Sequence, residues 1–168
     1  TTPSNLTVVT LTDQLALGNV TVSTASGLAG TGDITVNNAI NYASANSLTL
    51  SANRSISIVA GSGGISNTGT GAVTLTGAGA GSIAVNESIT TGGGAIALSS
   101  GSGGISLAAS KAIDAGSGTI ALNAGGGAVN LGTGSLRTSN TTAAAASVAS
   151  STTLALGSVA LNGGGTLS

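Results

Sequence analysis

The sequence predicts an all-β chain wound as a right-handed parallel β-helix: a solenoid of about seven coils, roughly 24 residues each, with three short strands per coil. Three observations carry this. First, residues 48–71, 73–94, 96–118 and 120–140 restate one pattern. Each opens on an apolar–small–apolar triplet (Leu48/Leu50, Val73/Leu75, Ile96/Leu98, Ile120/Leu122) and continues with a second (Ile56/Ile58, Ile83/Val85, Ile105/Leu107, Val129/Leu131). A lone apolar residue then follows (Ile65, Ile89, Ile113, Leu136), and the starts are 25, 23 and 24 residues apart. Second, the segments between triplets are Gly, Ser, Asn and Thr, which suit tight corners. Third, only seven of 168 residues are charged, yet branched aliphatics recur in register, which separates the chain from disordered low-complexity sequence. The right hand follows from the general preference of parallel crossover connections.

In chain order, residues 1–14 form an N-terminal strand, a cap or an inter-subunit segment. Leu6 and Val8 would point one way and Val9 and Leu11 the other, so both faces can be buried, although an ordinary first coil with a bulge is the other reading. Residues 15–140 form the coils. Val20/Val22, Ile34/Val36 and Ile40 make the first, with 27–32 as a longer corner. Stacking then places Leu50, Leu75, Leu98 and Leu122 above one another, and likewise Ile58, Val85, Leu107 and Leu131, as aliphatic ladders that no coil could bury alone. Asn86, Asn123 and Asn162 follow strands and suit left-handed corners. Residues 141–153, TTAAAASVASSTT, read as an insertion: a loop or a short Ala-rich helix at one corner. Residues 154–168 form a final coil from Leu154/Leu156, Val159/Leu161 and Leu167, apparently uncapped. The ends carry nearly the same element, LALGNVTV at 15–22 and LALGSVAL at 154–161. With no amphipathic cap visible, the chain is expected to be a segment of a longer array or a subunit that stacks end to end on copies of itself.

The run GDITVNNAINYASANSLTLSANRSISI (32–58), with GGAIALSSGSGGISL and LALGNVTV, resembles the repeats of filamentous-haemagglutinin-like exoproteins. These are bacterial surface proteins of the two-partner secretion type, including the high-molecular-weight adhesins. The resemblance covers most of the chain, about 15–167. It implies a right-handed β-helix, secretion to the bacterial cell surface, and a place in the stalk. The Asn-Pro-Asn signatures of that family's secretion domain do not occur, since Pro3 is the sole proline. Contacts with host or surface glycans or proteins would be made through other regions.

Chemistry is sparsely provided for. There is no Cys, His, Trp, Phe or Met, so no disulfide is available and no transition-metal site is expected. The four carboxylates, Asp13, Asp33, Glu87 and Asp114, fall at one per coil or fewer. Glu87 and Asp114 flank the inward residue of adjacent coils on opposite sides, a poor arrangement for an acid–base pair. Arg54, Lys111 and Arg137 read as solubilising, edge-protecting charges. The Gly-rich runs lack the Lys-Ser/Thr of a phosphate loop and the Asp of calcium-binding repeats. A net charge of −1 gives no field for nucleic acid or an anionic membrane, and no apolar run is long enough to span a bilayer. The chain is therefore expected to have no catalytic, cofactor-binding or metal site and to be no enzyme. It reads as an extracellular stalk or fibre segment, or as a subunit that self-assembles into a filament. A carbohydrate-binding β-helix and an ice-binding face built on Thr49, Thr74 and Thr119 are lesser alternatives.

Overall fold

The computed structural model describes residues 4–24 and 32–168; Pro3 and most of the corner at 27–32 lie outside them. The repeat folds as a parallel β-solenoid of six coils, each contributing one strand to each of three faces. The first coil is β1 (Val20–Ser23), β2 (Ile34–Val36) and β3 (Ile40–Tyr42), and the second is β4 (Leu48–Ala52), β5 (Ile56–Ile58) and β6 (Ile65–Asn67). The third is β7 (Val73–Gly77), β8 (Ile83–Val85) and β9 (Ile89–Thr91), followed by β10 (Ile96–Ser99), β11 (Ile105–Leu107) and β12 (Ala112–Asp114). The fifth is β13 (Ile120–Asn123), β14 (Val129–Asn130) and β15 (Ser135–Thr138), and the sixth is β16 (Ala146–Ala149), β17 (Leu154–Ala155) and β18 (Ser158–Leu161). The three six-stranded sheets run β1-β4-β7-β10-β13-β16, β2-β5-β8-β11-β14-β17 and β3-β6-β9-β12-β15-β18. At a strand spacing of about 4.8 Å the stack is roughly 29 Å tall. The count is six rather than seven because only Leu167, bridged to Ala146, begins a further turn.

Further expectations are corrected. The N-terminal strand is a helix, α1 (Val8–Leu17), capped by Thr7, whose Oγ1 accepts the Thr10 N–H at 3.2 Å. Leu11 and Leu15, one turn apart, are buried against the first coil, whereas Asp13 and Gln14 face solvent. A strand burying Leu11 and Leu15 would bury Asp13 with them, because its side chains repeat every second residue; a helix does not. Val8, Val9 and Leu11 are thus helical and not in a strand; Leu6 and Val9 are exposed, and Val8 packs against the core from the first turn. The segment covers the first coil as an amphipathic helix and not as a strand.

Residues 141–153 are no separate insertion, since they contain β16, which pairs Ile120 with Ala146 and Leu122 with Val148. Ala145 and Ala146 take inward positions and are fully buried, so small side chains hid the strand from a pattern built on Ile and Leu. Consequently Leu154 begins the second strand of the sixth coil, pairing with Val129, and not the first strand of a new one. The two LAL segments therefore differ in structure: 15–17 ends α1, and 154–155 is β17.

Corners are closed by near contact between coils. A Cβ on Gly81 would overlap the Arg54 carbonyl oxygen of the coil below, so no side chain fits there. Gly64 combines a φ of +78° with a similar approach to the Ser88 carbonyl. Among the described residues the only non-glycine at positive φ is Ser110, at +61°, so Asn86, Asn123 and Asn162 do not take left-handed corners. Asn123 instead accepts the Gly125 N–H on its own side-chain oxygen.

Candidate functional site

Inward-facing columns run the length of the rod. Leu50, Leu75, Leu98 and Leu122 are consecutive register partners, as are Ile58, Val85 and Leu107, and with Leu131 all are buried. A third column, Ile40, Ile65, Ile89, Ile113, Leu136 and Val159, lines the remaining face.

Two residues beyond the isoleucines of this face lies a column that sequence reading missed: Tyr42, Asn67 and Thr91 in register, with Thr138 further along. Asn67 is fully buried and makes four hydrogen bonds. Its Oδ1 accepts the N–H groups of Ser44 (3.0 Å) and Gly69 (2.9 Å), and its Nδ2 donates to the carbonyls of Ser44 (3.0 Å) and Gly71 (2.9 Å). It therefore fastens its own corner to that of the preceding coil. Thr91 donates to the Gly94 carbonyl and Thr138 to that of Gly118 at 2.6 Å. Tyr42 heads the column in the first coil. Its hydroxyl is buried without a partner among the described residues, and burial pushes its pKa up to about 12.

Two ion pairs bridge successive coils at corners. Arg54 donates from Nε to Asp33 Oδ1 (2.8 Å) and from Nη2 to Oδ2 (2.5 Å), and Asp33 Oδ1 also accepts the Ser55 N–H. The hydrogen bond it donates to Asp33 raises the Arg54 pKa further above its already high value. Glu87 links three coils, accepting Lys111 Nζ on Oε2 (2.7 Å) and the Gly61 N–H on Oε1 (2.7 Å). Those two bonds, Lys111 first, hold its carboxyl below the ordinary range. The only sequence signal for either pair is the offset, 21 and 24 residues, close to one coil. Arg54 and Lys111 are thus bridging residues and not only solubilising ones.

The structure does not bring Glu87 and Asp114 together into one site. Asp114 lies in register with Thr90 and Arg137, and its carboxylate accepts the Gly116 N–H. Among the described residues no three acids are gathered as a metal group would require. On the outward face Thr21, Thr49 and Thr74 are stacked in register, but Ala97 and Ala121 continue the column and Thr119 precedes its strand. A cleft of about 720 Å³ lies where the segment leading into α1 meets the first coil, lined by Leu6, Val8, Leu11, Val22, Ile34 and Val36. No helix is long and apolar enough to cross a membrane.

Comparison with protein-family models, curated proteins and solved structures gives no match in any of the three.

Proposed function

We propose that this chain is an extracellular structural element: a stiff spacer forming a stalk or fibre segment of a bacterial surface adhesin, wound as a right-handed β-helix. The observation that carries the reading is register. Among the described residues eighteen strands stack through six coils without a break in any of three parallel sheets, and the second to fifth coils repeat one inward aliphatic pattern. Inter-coil hydrogen bonds in such a stack run along the rod, so axial load is shared by three ladders at every interface. The paired charges serve the same end, since both ion pairs join one coil to the next. The role is non-catalytic, and attachment to glycans or proteins belongs to other regions. Placing it at the cell surface rests on the resemblance of residues 32–58, by sequence, to filamentous-haemagglutinin-like repeats.

A second reading, a subunit that assembles end to end, is favoured by where apolar side chains are exposed. All six large exposed hydrophobics among the described residues lie near the two ends: Leu6, Val9 and Leu17 at one, Leu154, Leu156 and Leu167 at the other. Small-angle scattering with negative-stain micrographs over a concentration series separates the two. Single rods of roughly 29 Å at every concentration are expected for the spacer. Unbranched filaments would replace it with the self-assembling subunit, and either an unfolded scattering profile or closed oligomers of fixed size would overturn both.

A further inference from the structure

We propose that α1 is a releasable cap: residues 4–17 undock as a unit about Gly18 while the six coils stay folded, freeing the outer edges of β1, β2 and β3. The reasons lie in the helix and its attachment. Four of its ten residues, Val8, Val9, Thr10 and Thr12, are β-branched, so its intrinsic helix propensity is low. Thr12 turns its hydroxyl back onto the carbonyls of Val8 and Val9, and no acidic side chain stands in the first turn nor a basic one in the last. A helix of ten residues with these handicaps is held by docking alone.

The docking is narrow. Leu11 and Leu15 are its buried residues, and among the described residues its polar anchor is a single carbonyl, that of Leu15, which accepts Ser44 Oγ and Asn46 Nδ2, each at 2.9 Å. The opposite end of the helix borders the 720 Å³ cleft, which lies between it and the first coil. Beneath α1 the coils are tied differently, by three parallel ladders, full aliphatic columns and the four bonds of Asn67. Opening the cap therefore costs far less than opening any coil interface. Once released, β1 to β3 present unpaired N–H and C=O groups, the condition for adding a further strand.

Tyr42 reports the state of the cap. It is the only aromatic residue of the chain, and it sits in β3, the strand against which α1 packs most. β3 is the edge strand of its sheet and pairs only with β6, so undocking α1 is expected to bare the Tyr42 ring to solvent.

The test is hydrogen exchange of the full chain, read by mass spectrometry, with acrylamide quenching of Tyr42 fluorescence. Amides of 11–17 are expected to exchange at least ~100-fold faster than those of β8 and β11. Removing both anchor donors with Ser44→Ala and Asn46→Ala is expected to speed α1 exchange about tenfold more and to raise quenching, with β8 and β11 unchanged. Equal protection of α1 and the strands in the parent chain would overturn the proposal, because the cap would then be part of one cooperative unit. So would an anchor variant in which α1 exchange does not move, or in which α1 and strand exchange rise together.

Discussion

Leu98 packs between Leu75 and Leu122 with 1 % of its surface exposed, and an inward position in a solenoid has no solvent to turn toward. Leu98→Asp would bury a charge that nothing nearby can pair, and a loss of at least ~4 kcal/mol is expected, read as a collapse of the urea midpoint. A polar residue holds an inward position at least cost where the corner answers all its bonds, as it does at Asn67. Asn67→Ala would leave the Ser44 and Gly69 N–H groups and the Ser44 and Gly71 carbonyls without their side-chain partner, and about 2–4 kcal/mol should be lost in the same measurement. The leucine ladder was legible in the sequence because large aliphatics recur at the coil period. Asn67 was not, because an Asn before a Gly-rich stretch reads as a turn residue; only the register, which sets it beside Tyr42 and Thr91, places it inside. Glu87 adds a dependence on acid. Folding lowers its pKa, so the folded chain holds this proton less tightly than the unfolded one. Its contribution is complete above the ordinary value of 4.5 and disappears as pH falls through the lower, folded value. Thermal melts of Glu87→Gln should therefore fall less steeply than the parent's from pH 5 downward, and identical slopes would refute the bridge.

Strands, corners and the cap show where local sequence ceases to decide. LAL is the last turn of a helix at 15–17 and opens a strand at 154, so the tripeptide carries no structure of its own. Leu15 is buried in α1, while Leu154 is paired with Val129 and half exposed at the last coil. The same override acts on 8–12, whose alternation of Val, Thr and Leu suits a strand but whose Asp13 does not. It acts again on β16, where the partner strand β13 supplies the register that Ala and Ser do not announce. The corners, by contrast, are decided by contact between coils, which separates two glycines of one corner. Gly81 lies against the Arg54 carbonyl, and Gly79, at φ +57°, has nothing within 4 Å of where its Cβ would be. Gly81→Ala must part the second and third coils, and about 3 kcal/mol of destabilisation is expected. Gly79→Ala meets only the left-handed backbone cost, of order 1–2 kcal/mol. Chemical denaturation of the two variants should rank them in that order, and the reverse order would mean that backbone conformation, not coil contact, selects glycine here.

Across the whole rod, stability should be close to a sum of coils and the interfaces between them, because each coil touches only its neighbours. The architecture then allows a coil to be taken out whole. Ile96 pairs with Val73 below and Ile120 above, so deleting residues 96–119 joins Ala95 to Ile120 and hands Ile120 the partner Ile96 had. Val129 inherits Ile83 and Leu136 inherits Ile89 by the same step, since β10, β11 and β12 leave together. The shortened chain loses the Glu87–Lys111 bridge with Lys111 but keeps every inward column continuous. It should fold, with a stack about 4.8 Å shorter and a urea m-value lower by roughly one sixth, in proportion to the surface exposed on unfolding. Deleting residues 96–107 alone removes β10 and β11 but leaves β12, so a strand of the third sheet would arrive where the first sheet needs one, and this chain should not form a stack. Circular dichroism with urea unfolding distinguishes the outcomes. If the full-coil deletion failed to fold while the partial one folded, the periodic unit would not be the coil, and the additive account of the rod would fall with it.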